Sequence, residues 1–175
     1  MRTVIAIALA AAAVAAALCA FVWFGGFNIS AVDPHWEVTR KLIEIARDRS
    51  IEVRSGDVSL PPLSLDDPAL LKSGAAEYHR MCKACHAAPG YREEIFSQGL
   101  YPAPADLMSG QVQAQWNDGA LFWIVCNGLK MTGMPSFCVT HDKEELYGVV
   151  VLLRRLPGMK AEEYRSLVED PGTGE

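Results

Sequence analysis

The pattern of apolar and polar positions divides the chain into stretches of different character. Residues 4–24 carry no charge, are rich in Ala and end in Phe21, Trp23 and Phe24. At about 1.5 Å of rise per residue, a helix of this length spans a hydrocarbon layer of roughly 30 Å. From residue 35 to 49, Trp36, Leu42, Ile43, Ile45 and Ala46 recur among Arg40, Lys41, Glu44, Arg47, Asp48 and Arg49. That spacing predicts an amphipathic helix, with Asp33 as its N-cap and Pro34 as its first residue. Residues 51–65 break the period. Ile51, Val53, Val58 and Leu60 stand among Gly56, Pro61 and Pro62, which predicts a short strand or an extended strap.

Helix-start chemistry returns at Asp66-Asp67-Pro68, and Leu70, Leu71, Ala75, Tyr78 and Met81 predict a helix over 70–81. Ala87-Ala88-Pro89-Gly90 reads as loop, 91–98 as a short amphipathic piece, and 99–107 as too rich in proline for helix. Trp116, Ala120, Phe122, Trp123, Ile124 and Cys126 predict a helix over 116–128 that stops at Asn127-Gly128. Leu146, Val149, Val150 and Leu153 mark one face of a helix over 143–156, started by His141-Asp142 and ended by Pro157-Gly158. A short helix over 161–168 and a frayed tail complete an all-α reading.

The chemistry concentrates at Cys82-Lys83-Ala84-Cys85-His86, the C-x-x-C-H spacing of covalent c-type haem attachment. Two thiols at this spacing each reach one vinyl group of a single haem, and the imidazole that follows reaches the iron. Thioredoxin-like redox sites and zinc sites also use C-x-x-C. Context favours haem, because the stretch before Cys82 reads as helix rather than strand. Cys126 and Cys138 do not repeat the spacing as a second zinc half-site would. Iron with one axial imidazole needs a sixth ligand, and Met134, in Thr132-Gly133-Met134-Pro135, is the candidate. Met131 competes as a nearby thioether, and His141 would make a bis-His site. His79 and His35 read as surface residues, Met81 and Met108 as core, and Trp116, Phe122 and Trp123 as core and pocket lining. Cys126 and Cys138 bracket the Met134 loop. Either they pair, stiffening it by about 2–3 kcal/mol in the chain-entropy account, or they are separate thiols.

Charge and targeting narrow the setting. A net charge of −5 and the lack of a basic block argue against nucleic acid and favour a basic docking partner. The run over 4–24 reads as an uncleaved anchor by its length, with a cleaved signal peptide as the competing reading. Haem attachment belongs to the outer side of an energy-coupling membrane. That places the anchor in a bacterial inner membrane and the body in the periplasm, where disulfides persist.

Residues 66–157 resemble a class I, mitochondrial-type cytochrome c domain, in the form of the membrane-anchored single-haem cytochromes of bacteria. The resemblance rests on the helix leading into Cys82-x-x-Cys85-His86, the Asn127-Gly128 to Gly133-Met134-Pro135 loop and the closing helix. It implies a small all-α fold around one haem c, thioether-linked at Cys82 and Cys85, with His86 as proximal and Met134 as distal iron ligand. It also implies that first and last helices cross, with Gly74 and Tyr147 or Tyr78 as contact points. A backbone carbonyl from Pro102, Pro104 or the Ala105-Asp106-Leu107 turn would fix the second nitrogen of His86.

The expected layout is an anchor over 1–24, a linker over 25–65, a haem domain over 66–160 and a tail over 161–175. The expected function is one-electron transfer without catalytic residues, between a dehydrogenase donor and an oxidase or other cytochrome. Electrons would pass at the haem edge near Lys83, Ala84 and Ala88. Two alternatives stand: a cytochrome subunit permanently assembled in a membrane dehydrogenase or oxidase complex, and a haem sensor with a labile sixth ligand.

Overall fold

The structure is a computed structural model that describes residues 1–61, 64–65 and 67–169. The described residues form α-helices and one 3₁₀ turn, without strands. The expected haem-domain start at Asp66, the linker residue Pro62 and the tail from 170 onward lie outside the described residues. The chain divides into two compact units, Met1–Pro34 and His35–Glu175.

In the first unit, α1 (Arg2–Trp23) has a mean hydropathy of 2.7 over its most apolar window and buries none of it. Its length and composition suffice to cross a membrane, and a signal sequence meets the same test. The helix closes with the Phe24 amide donating to the Ala20 carbonyl at 2.9 Å, and Gly25, at φ +70°, turns the chain away.

The second unit is built on the crossing of α3 (Pro68–Met81) and α7 (Lys143–Arg155). Both start as their sequences require. The Asp67 carboxylate accepts from the amides of Ala69, at 2.9 Å, and Leu70, at 3.3 Å, and Pro68 is the first helical residue. Asp142 and Glu145 form a capping box at α7, so the cap is Asp142 and not His141. The apolar face of α7 then buries Leu146, Val149, Val150 and Leu153. Gly74 of α3 lies against Gly148 of α7, as close as two backbones without side chains allow. Tyr78 is fully buried beside this crossing, and α8 (Ala161–Val168) docks on α3 through Tyr164, also fully buried.

The segment before the C-x-x-C-H motif differs from expectation. The helix α2 (Glu37–Ser55) starts later and runs further than its sequence period suggests. Asp33 does not cap it, and its side chain instead accepts from Asn28 at 2.6 Å. The His35 amide is donated to the Tyr101 hydroxyl at 2.9 Å, which keeps the chain out of helix until Trp36. At the other end, Ile51 and Val53 are helical rather than extended, because Ile51 and Ser55 are buried where α2 packs on α6 (Asp118–Asn127). Burial of that face outweighs the modest helix cost of β-branched residues. Asn117 caps α6, accepting from the Ala120 amide at 2.8 Å, so the helix starts after Trp116. A five-residue helix, α5 (Gln111–Gln115), lies in a stretch where the period predicts nothing. The amphipathic piece expected over 91–98 is a 3₁₀ turn at Ile95–Gly99.

Candidate haem site and the comparisons

The site begins where α3 ends. The Cys82 amide still donates to the Tyr78 carbonyl, at 2.8 Å, and the chain turns directly into α4 (Lys83–His86). Within this turn the Cys85 and His86 amides donate to the Cys82 carbonyl, at 3.0 and 2.9 Å. Cys82 and Cys85 are therefore presented one helical turn apart, and both are unpaired thiols. Burial, then the neighbouring Cys85 and Glu77, pushes the Cys82 thiol up to about 12. A redox-active C-x-x-C needs the opposite, a thiol made acidic by its surroundings. Among the described residues, no group of three or more His, Cys, Asp or Glu is arranged to hold a metal ion, as a structural zinc site would require.

His86 is already oriented. Its Nδ1 lies 2.8 Å from the Ala105 carbonyl oxygen, which can only accept, so Nδ1 carries the proton and donates. This leaves Nε2 with its lone pair free. Burial lowers the imidazole's affinity for a second proton and outweighs the carbonyl's opposite effect. Of the acceptors open from the sequence, the Ala105-Asp106-Leu107 turn is the one that serves. The Asp106 carboxylate holds that turn by accepting from the amides of Met108, at 2.9 Å, and Ser109, at 3.3 Å.

The methionine loop leaves α6 at Gly128, where φ is +65° and a Cβ would stand 2.5 Å from the Pro135 carbonyl. Glycine is needed there for both reasons. Inside the loop, the Leu129 amide donates to the Met134 carbonyl at 3.2 Å, and the Met134 amide to the Thr132 hydroxyl at 3.1 Å. The Thr132 hydroxyl donates in turn to the Leu129 carbonyl at 2.7 Å. Met134 is half-buried against the same apolar core that reaches Cys82 and Leu107. Met131 is 76% exposed, on backbone at φ +61°. Cys126 and Cys138 are bonded to each other across this loop.

Other expectations change. His79 is half-buried rather than exposed, with ring centroids 5.0 Å from Tyr91 and 5.9 Å from Tyr164. His35 is also half-buried, its ring against that of Tyr101. His141 lies beside Phe137, with Nε2 3.8 Å from the buried Glu77 carboxylate. Ala88 is buried and cannot meet a partner. Sequence reasoning missed Gly148, whose signal was a glycine in the middle of a helix. It also missed the strap from the Cys pair to the methionine loop. The Glu94 amide donates to the Ala84 carbonyl at 2.8 Å, and the Leu100 side chain reaches to 3.0 Å from the place of a Cβ on Gly133.

Residues 69–153 match the model of the family described as cytochrome C oxidase, cbb3-type, subunit III. Over these residues the chain carries a class I c-type cytochrome domain. The matched residues run from α3 through the Cys82-x-x-Cys85-His86 turn and the Met134 loop into α7. No curated protein and no solved structure matched the chain. A cytochrome of this type carries covalently bound haem c and works by electron transfer with redox partner proteins, not as an enzyme. The donor set fits that group: two unpaired thiols on one turn, then an imidazole whose second nitrogen is already bonded.

Proposed function

We propose that this cytochrome is a one-electron carrier with a single haem c, joined through Cys82 and Cys85 and ligated axially by His86 and Met134. The observation that carries the reading is the His86–Ala105 hydrogen bond, which fixes the tautomer and leaves Nε2 for iron on the turn that presents both thiols. The bound group supplies a ferrous/ferric couple, and a thioether opposite an imidazole raises its potential. With Met134 as its second ligand the group would have no position open for substrate and would exchange electrons alone. Glu94, bonded to Ala84, and Leu100, against Gly133, tie the Cys turn and the Met134 loop into one frame that would hold His86 and Met134 in place for the group.

We place α1 in a bacterial inner membrane and the haem domain in the periplasm. The apolar length of α1 and the Cys126–Cys138 bond, which suits an oxidising compartment, support this. The donor is then a periplasmic or membrane dehydrogenase, and the acceptor an oxidase or another cytochrome. A second reading, a subunit permanently assembled in a membrane complex, is favoured by the oxidase-subunit description of the matched family. Val38, Leu42 and Ile45 on the solvent side of α2 also suit it.

The test is the optical spectrum of protein matured with haem, together with a haem count per chain. One haem per chain is expected, with the weak far-red band of ferric iron bound to a thioether. Met134→Ala should abolish that band and Met131→Ala should leave it. Survival of the band in Met134→Ala would transfer the role to Met131. Mass-spectrometric size of the full chain purified in mild detergent separates carrier from subunit.

A further inference from the structure

We infer that the Cys126–Cys138 disulfide is a positioning clasp for the sixth iron ligand, an inference that rests on Met134 being that ligand. The bond closes a ring with a sequence separation of 12, and Met134 lies inside it. The loop's attachments converge on one place. The Cys138 amide, at 3.0 Å, and the Ser136 hydroxyl, at 2.8 Å, both donate to the Cys126 carbonyl, and the Phe137 amide donates to the Val125 carbonyl at 3.4 Å. All of these acceptors belong to the last turn of α6, which Leu121, Phe122 and Val125 fix in the core. The disulfide is the covalent member of this set. The bonds among Leu129, Thr132 and Met134 shape the loop but do not attach it to the body.

The physical consequence follows from ring closure. A thioether stays on iron in proportion to its effective concentration there, and that concentration falls as the loop gains conformations. With the bond in place, a Met134 that dissociates is returned to the same position. With the bond cut, the loop is held only by hydrogen bonds to a single turn and by side-chain packing such as that of Leu100 on Gly133, and an external ligand competes better for the iron. The clasp can be reached from solvent, because Cys126 lines an open groove of about 560 Å³ with Asp57, Ser59, Trp123 and Lys143.

The test uses the full haem-loaded chain. Ascorbate reduces the iron and leaves the disulfide, and carbon monoxide binding to the ferrous protein is then timed at neutral pH. The measurement is repeated on Cys126→Ser/Cys138→Ser. It is repeated again on native protein treated with dithiothreitol and capped with iodoacetamide, which does not depend on the variant folding. Both should bind carbon monoxide roughly tenfold faster or more, the scale that opening a ring of this size permits. Both should also show a weakened far-red band after reoxidation of the iron. A cut bond, confirmed by mass, that lowers the melting temperature but changes neither rate nor band would make the disulfide merely structural and overturn the clasp. A band already missing from the disulfide-intact protein would overturn the Met134 reading, and the clasp with it.

Discussion

Gly74 and Gly148 touch backbone to backbone where α3 crosses α7. A Cβ at Gly74 would stand 1.9 Å from the Gly148 carbonyl oxygen, whereas one at Gly148 would meet nothing nearer than 3.0 Å, the Leu70 carbonyl oxygen. The helices are therefore sensitive to the same added methyl to different degrees. Gly74→Ala must force the helices apart and should cost about 3 kcal/mol, the upper part of the overpacking range. Gly148→Ala should cost about 1 kcal/mol, because its neighbours need shift only slightly and alanine favours helix. Denaturant unfolding of the haem-loaded protein checks the order. Equal costs would show that the crossing relaxes freely.

Arg154 ties three chain segments together from the end of α7. Its Nε donates to the Asp118 carboxylate at 2.7 Å, one Nη to the Trp116 carbonyl at 2.8 Å and the other to the Gln113 carbonyl. Only a planar fork reaches all three. Arg154→Lys should therefore destabilise the fold by about 2 kcal/mol despite keeping the charge. A change in denaturation midpoint indistinguishable from zero would remove this role.

His79 gives stability a dependence on pH. Burial among Tyr91 and Tyr164, and then the Lys83 charge, lower its proton affinity in the folded state below the ordinary value of 6.5. Below that value the unfolded chain binds the proton more readily than the folded one, so protonation favours unfolding. The contribution of His79 is thus fully present above about 6.5 and is lost as pH falls from there through the folded value. His79→Gln should flatten the decline in denaturation midpoint over that window. A decline as steep as in the parent protein would assign it to other groups.

What was legible in the sequence was local. Asp67-Pro68 announced α3, the spacing of Leu146, Val149, Val150 and Leu153 announced α7, and residues 161–168 coincide with α8. The proposed thioether and imidazole positions, Cys82, Cys85 and His86, lie within one turn, so their pattern appears in five consecutive letters. Such features depend on hydrogen bonds and side-chain spacing over three or four residues, which the sequence contains in full.

The tertiary structure decided everything that joins distant residues. His35 stays extended because Tyr101 takes its amide proton, and α2 runs to Ser55 because Ile51 is buried against α6. His79 is withdrawn from water by Tyr164, 85 positions away. Ala105 supplies the acceptor for His86 from 19 positions away, a choice among carbonyls that no local rule could make. Cys126 finds Cys138, with Cα atoms 4.6 Å apart, because the loop folds back on the last turn of α6. By itself the sequence determined the spacing and order of the groups proposed to hold iron. Packing decided which partners orient them, because the energy of burying a face or satisfying a donor is set by where the rest of the chain lies.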